Sequence, residues 1–116
     1  MRRPRNDRQR LEHMFKATDR LLCEYQELKR LPTEEDDFRY WAYVKLVEVI
    51  GEASCNLSRE FKAQHPSIDW RRIEATRHIL VHEYDAIDDA ILWRIIRDHV
   101  PALRDQIRTL LDSLPS

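Results

Sequence analysis

The chain has 116 residues, a formal net charge of −1 and 35% charged side chains. That length suits one domain, since domains commonly run to about 100–200 residues. The near-neutral balance excludes a global pull toward nucleic acid or a membrane surface. The single glycine, Gly51, excludes both a glycine-rich phosphate loop and a sheet joined by tight glycine-containing hairpins. Leu, Arg, Glu, Ala and Ile dominate, and the straight-chain members of that set favour helix. The expectation is one all-α domain over residues 1–116.

Five arginines against one aspartate make residues 1–10 a basic arm. Chain ends of this kind fray, so the arm is expected to be flexible and solvated, with phosphates as a second use. A first helix is predicted from about Arg8 to Arg30, where Leu11, Met14, Phe15, Thr18, Leu22 and Tyr25 form one stripe. Pro32 stops it, and Thr33 with Asp36 offers an N-cap. A second helix follows from about Glu34 to Leu57. It is apolar on most of its circumference, from Phe38 and Trp41 to Ile50 and Ala53. A helix apolar on so many sides is either central or shared with a second copy, and the small size of the domain favours a homodimer.

Ser58 caps a short segment through Phe61, and His65-Pro66 breaks it. Asp69 caps a third long helix from Trp70, anchored by Ile73, Leu80 and Val81. After a polar break at Asp85-Ala86, a last helix spans about Asp88 to Leu114. Pro101 lies inside its pattern and should kink it or split it in two. The sum is a four- to five-helix bundle with short connections. Cys23 and Cys55 read as small buried hydrophobes of a reducing compartment. No apolar h-region follows the basic start, and no apolar run is long enough to span a bilayer, so a cytoplasmic protein is expected, without membrane association.

The residues that could do chemistry are few. There is no CxxC pair and no HExxH, and the carboxylates scatter along helix faces. His78 and His82 are four apart on one helix face and could meet a metal, but the local sequence offers no third ligand, so no cofactor is expected. The segment Arg77-His78-Ile79-Leu80-Val81-His82-Glu83-Tyr84 stands out. A permanently charged Arg is an odd choice for a helix seam but suits a phosphate. A His titrates near neutrality and can move a proton. Together they suffice for metal-free RNA cleavage, with the His acting on the ribose 2′-OH and the Arg on the charge at phosphorus. Five residues of regular helix set Arg77 and His82 about 140° apart, so a helix end or a second chain must complete such a site. On spacing alone, Arg77 could equally pair a neighbouring carboxylate and His82 be a satisfied interfacial histidine.

Arg77 to Tyr84 resembles the R-x4-H-x-Y signature of the HepT-like branch of the HEPN superfamily. Other segments agree in order: Ile50-Gly51-Glu52-Ala53 with the family's IGEA segment, and Leu57-Ser58 followed by His65-Pro66-Ser67-Ile68-Asp69-Trp70 with its LS…HPxIxW stretch. Ile73 to Arg77 resembles the approach to the motif. Ile87-Asp88, Trp93 and Val100-Pro101-Leu103 resemble the closing helix. The likeness runs from about Phe38 to Leu111.

The resemblance implies an α-bundle that dimerises through the motif-bearing region and acts as a metal-independent endoribonuclease toxin. It implies RNA as substrate and an MntA-like nucleotidyltransferase antitoxin as partner, which silences the toxin by transferring AMP to Tyr84. Arg77 and His82 would be the catalytic pair. His78, in the polar place where the family most often has Asn, would support them. The alternative reading is a non-catalytic HEPN module that binds a nucleotidyltransferase or a nucleotide.

Overall fold

A computed structural model describes residues 4–28, 38–82 and 89–114 of the chain. They form α1 (Pro4–Leu28), α2 (Phe38–Cys55), α3 (Arg59–Gln64), α4 (Trp70–His82), α5 (Asp89–Arg94), a π-helical turn (Ile95–His99) and α6 (Val100–Ser113). There is no strand among the described residues. Counting α5, the π turn and α6 as one interrupted rod, this is the all-α bundle of four long helices and one short one that the composition predicts. The predicted Pro32 stop and Thr33 cap lie outside the described residues.

The chain packs as a series, with α4 against α2, α2 against α1, and α1 against the π turn and α6. The core is built from Leu11, Met14 and Leu21 of α1, Val47 and Ile50 of α2, and Leu92, Ile96, Val100 and Ile107 of the C-terminal rod. Burial of each such side chain contributes about 1.5–3 kcal/mol. The position of α2 between two helices explains why its apolar residues do not fall on one face. Tyr40, Tyr43, Val44, Val47, Ile50 and Ala53 are all buried within this one chain, while Phe38 and Trp41 stay exposed. A central helix therefore accounts for most of the pattern that suggested a second copy.

Two sequence readings differ from the structure. Residues 4–10 belong to α1, where the sequence reading began the helix at about Arg8. The reason is Asp7, which is buried and tied to the far side of the chain. Its Oδ1 accepts from the Ser58 backbone N–H at 2.8 Å and its Oδ2 from the Ser58 hydroxyl at 2.7 Å. Cys23 and Cys55 are both exposed free thiols and not core residues. Cys23 falls off the stripe of α1 because a step of one residue turns the helix by about 100°, and Cys55 is the last residue of α2. Of the two outcomes expected at Pro101, a kink or a split, the structure has the split: α5 and α6 are separated by the π turn. Pro has no N–H and its ring crowds the carbonyl four residues earlier. The chain widens into the π turn just before it, and the Val100 N–H bonds to the Ile95 carbonyl.

Short polar links set the position of α4. Ser58 caps α3, its Oγ accepting from the Phe61 N–H at 3.1 Å. Asp69 caps α4, its Oδ1 accepting from the Arg72 N–H at 3.1 Å. The Trp70 indole donates to the His65 carbonyl at 3.0 Å. Lys62 Nζ reaches the Glu74 carboxylate at 2.7 Å and the Ser54 carbonyl at 3.2 Å, tying α3 to both α4 and α2. Together, Ser58, His65, Asp69 and Trp70 form a clasp that fixes the start of α4.

Candidate active site

Arg77 lies on α4 where that helix crosses α2, and Gly51 is what permits the crossing. A Cβ at position 51 would stand 2.8 Å from Arg77 Cβ and 3.0 Å from its backbone N. The first is shorter than real Cβ contacts and the second is tight, so a side chain there would force the two helices to shift. The next residue, Glu52, pairs through Oε1 with Arg77 Nε. Asn56, one turn on, donates from Nδ2 to Glu52 Oε2 at 3.3 Å and to the Glu52 carbonyl at 3.0 Å. The carboxylate is thus held from both sides. The hydrogen bond and charge of Glu52 raise the pKa of Arg77 above its already high ordinary value, with Cys55 adding smaller contributions in the same direction. Arg77 is a fixed cation, partly exposed, with Nε committed to Glu52.

Arg77 opens onto a cleft of about 400 Å³ between α1, α2 and α4. Arg10 and His13 line it from α1, and Lys45, Glu48 and Glu52 from α2. Neither Arg10 nor His13 was singled out from the sequence as a site residue. The signals available were the basic arm that includes Arg10 and the three-residue spacing that puts both on one face of α1.

His78 and His82 have backbones in α4, and their side chains lie outside the described part of the structure. Tyr84 lies outside the described residues altogether. Since α4 is helical through both Arg77 and His82, the five-residue step still sets them about 140° apart around one axis. Among the described residues, no group of three or more His, Cys, Asp or Glu side chains is placed to hold a metal ion. No helix of the described residues is long and apolar enough to cross a membrane.

Comparison with known proteins decides the family. Residues 14–110 match the family described as "Ribonuclease HepT-like". The chain belongs to the ribonuclease HepT-like family. Two relatives illustrate the range. "Probable ribonuclease HepT" of Thermococcus cleftensis is 36% identical over 70 residues, 60% of this chain and 64% of that protein. A protein of Caldanaerobacter subterraneus subsp. tengcongensis named as a "Putative RNase" is 31% identical over 101 residues, 87% of this chain and 90% of its own. The match thus spans just under two thirds of the first relative's length and nine tenths of the second's. No solved structure matches. In this family member the Ile50-Gly51-Glu52-Ala53 segment supplies one buried anchor, one forced close approach, one carboxylate for Arg77 and one more buried residue.

Proposed function

We propose that this protein is a metal-independent endoribonuclease toxin that cleaves RNA at a composite site formed by two copies of the chain. The observation that carries this reading is the family match together with the geometry of α4. Arg77 is held at the mouth of a cleft, whereas His82 sits about 140° away on the same helix and cannot easily converge with it. A two-fold dimer removes the conflict by setting Arg77 of one chain opposite His82 of the other.

The chemistry needs only these groups. A histidine takes the proton of the ribose 2′-OH, and O2′ attacks the adjacent phosphorus. The bond from phosphorus to O5′ breaks, and O5′ leaves with a proton supplied by a histidine. The products are a 2′,3′-cyclic phosphate and a 5′-hydroxyl, and no water is consumed. The arginine stabilises the charge that builds on the non-bridging oxygens. His78 supports the pair from the next position on the helix. An MntA-like nucleotidyltransferase antitoxin neutralises the protein by transferring AMP from ATP to the Tyr84 hydroxyl with release of pyrophosphate, which would add bulk and negative charge at that position.

Mixing two inactive variants tests the composite site. In a mixture of Arg77→Ala and His82→Ala chains, heterodimers hold one intact Arg–His site, so about a quarter of wild-type activity should return. Active wild type with no recovery on mixing would place each Arg–His pair within one chain. For the regulation, co-expression with the nucleotidyltransferase should raise the mass of wild type by one AMP and leave Tyr84→Phe unchanged. Equal gains in both would move the modification elsewhere. Stable binding of that partner with no cleavage of any RNA would favour the non-catalytic module.

A further inference from the structure

We propose that Arg10 and His13 of α1 form a subsite for the backbone phosphates of single-stranded RNA, continuing the strand's path from Arg77 along the cleft. The inference rests on the ribonuclease reading for the meaning of Arg77, but the charge arrangement that carries it is independent of cleavage. Within the cleft, the cations of α2 and α4 are each answered by a carboxylate. Lys45 Nζ lies 3.5 Å from Glu48 Oε1, and Arg77 pairs with Glu52. Arg10 and His13 line the same cleft with no carboxylate partner among the described residues.

Arg10 Nε is moreover buried without a hydrogen-bond acceptor among the described residues. With Nε enclosed and unable to take up a carboxylate, the part of the Arg10 guanidinium that lines the cleft is what an anionic oxygen would meet. The cleft's uncompensated positive charge therefore sits on Arg10 of α1, in the same cleft that Arg77 lines from α4. A guanidinium and an imidazole three residues apart on one helix face offer donors to anionic oxygens, and most contacts of proteins to nucleic acid go to the phosphate and sugar. The subsite should add affinity without sequence preference.

The test uses full-length protein carrying His82→Ala, so that RNA is bound and not cut. Its ligand is a fluorescent single-stranded oligoribonucleotide of about a dozen residues. Arg10→Gln with His13→Gln is compared with Arg59→Gln, an equal loss of arginine on an exposed position outside the cleft. Unchanged helical content and melting temperature confirm that the variants fold. The double variant should bind about tenfold more weakly and lower the slope of log affinity against log salt by about 0.7 for each phosphate no longer neutralised. A slope and affinity equal to those of Arg59→Gln would overturn the proposal, as would a defect seen only in binding to an acidic protein partner. Failure of the ribonuclease reading looks different: wild type would cut no RNA while this binding difference persisted.

Discussion

The Glu52 carboxylate of α2 and the Arg77 guanidinium of α4 are bonded across the one point where a glycine lets the two helices meet. This pairing orients Arg77 through Nε and leaves its terminal N–H groups to face a phosphate. Glu52→Gln keeps the shape of the side chain and removes its charge. In the proposed enzyme it should lower kcat on the order of tenfold to a hundredfold through loss of arginine placement. KM should change little and Glu52→Asp should recover part of the loss. A variant with full kcat and lowered stability would reduce the pair to a structural link. Because the pairing raises the pKa of a group already charged at all working pH values, the effect should not depend on pH near neutrality.

Gly51→Ala sets two effects against each other. Alanine favours helix over glycine by about 1 kcal/mol. The added Cβ, however, meets both the Arg77 Cβ and its backbone N at 3.0 Å or less, and neither is the flexible end of a side chain. Overpacking of this kind costs about 1–3 kcal/mol, so the net change should be destabilising. Urea unfolding of the two proteins measures it, and a stabilised Gly51→Ala would contradict the close crossing.

Asp7→Ala removes the acceptor for two buried donors of Ser58. Each buried donor left unsatisfied costs about 1–3 kcal/mol. Thermal unfolding should show a melting temperature lowered by at least about 4 °C, the shift that 1 kcal/mol brings in a domain near this size. A surface aspartate such as Asp105 should be nearly silent when replaced.

The pair Arg97–Asp98 provides a check on pH. The Arg97 guanidinium bonds the Asp98 carboxylate at 2.8 and 2.9 Å and holds its pKa below the ordinary 3.8. A depressed carboxyl contributes stability above its unfolded value and loses that contribution as pH falls through the folded one. The contribution is therefore constant at neutral pH and disappears only below about 3.8. A carboxyl-detected NMR titration should place Asp98 below that value in wild type and move it upward in Arg97→Gln. An unmoved midpoint would mean that the two side chains do not pair in solution.

The helices and their punctuation were legible because they depend on local rules. Ser58 and Asp69 cap where their spacing to the following turn predicts, and Pro101 does interrupt the last helix. The misreadings arose where distant residues decide. Asp7 looks like one acid in a basic tail until Ser58, fifty-one positions later, is seen to donate to it twice. The cysteines looked buried because thiols often are, and only the azimuth of α1 and the end of α2 put them outside. The Glu52–Arg77 pair lies inside two segments matched to the family, yet their spacing of twenty-five residues carries no local signal. Arg10 was read only as one cation of a basic arm and His13 not at all, because only the packing of α1 on α2 brings them to the cleft of Arg77.

The most direct test of the central claim is cleavage of a mixed RNA pool in excess EDTA by purified wild type, Arg77→Ala and His82→Ala. Wild type should cut and leave 2′,3′-cyclic phosphate ends. Each variant should lose on the order of a hundredfold or more in rate, as removal of one acid–base or charge-stabilising group does. Wild-type cleavage that persists undiminished in His82→Ala, or that vanishes with EDTA in protein unmodified at Tyr84, would contradict the account.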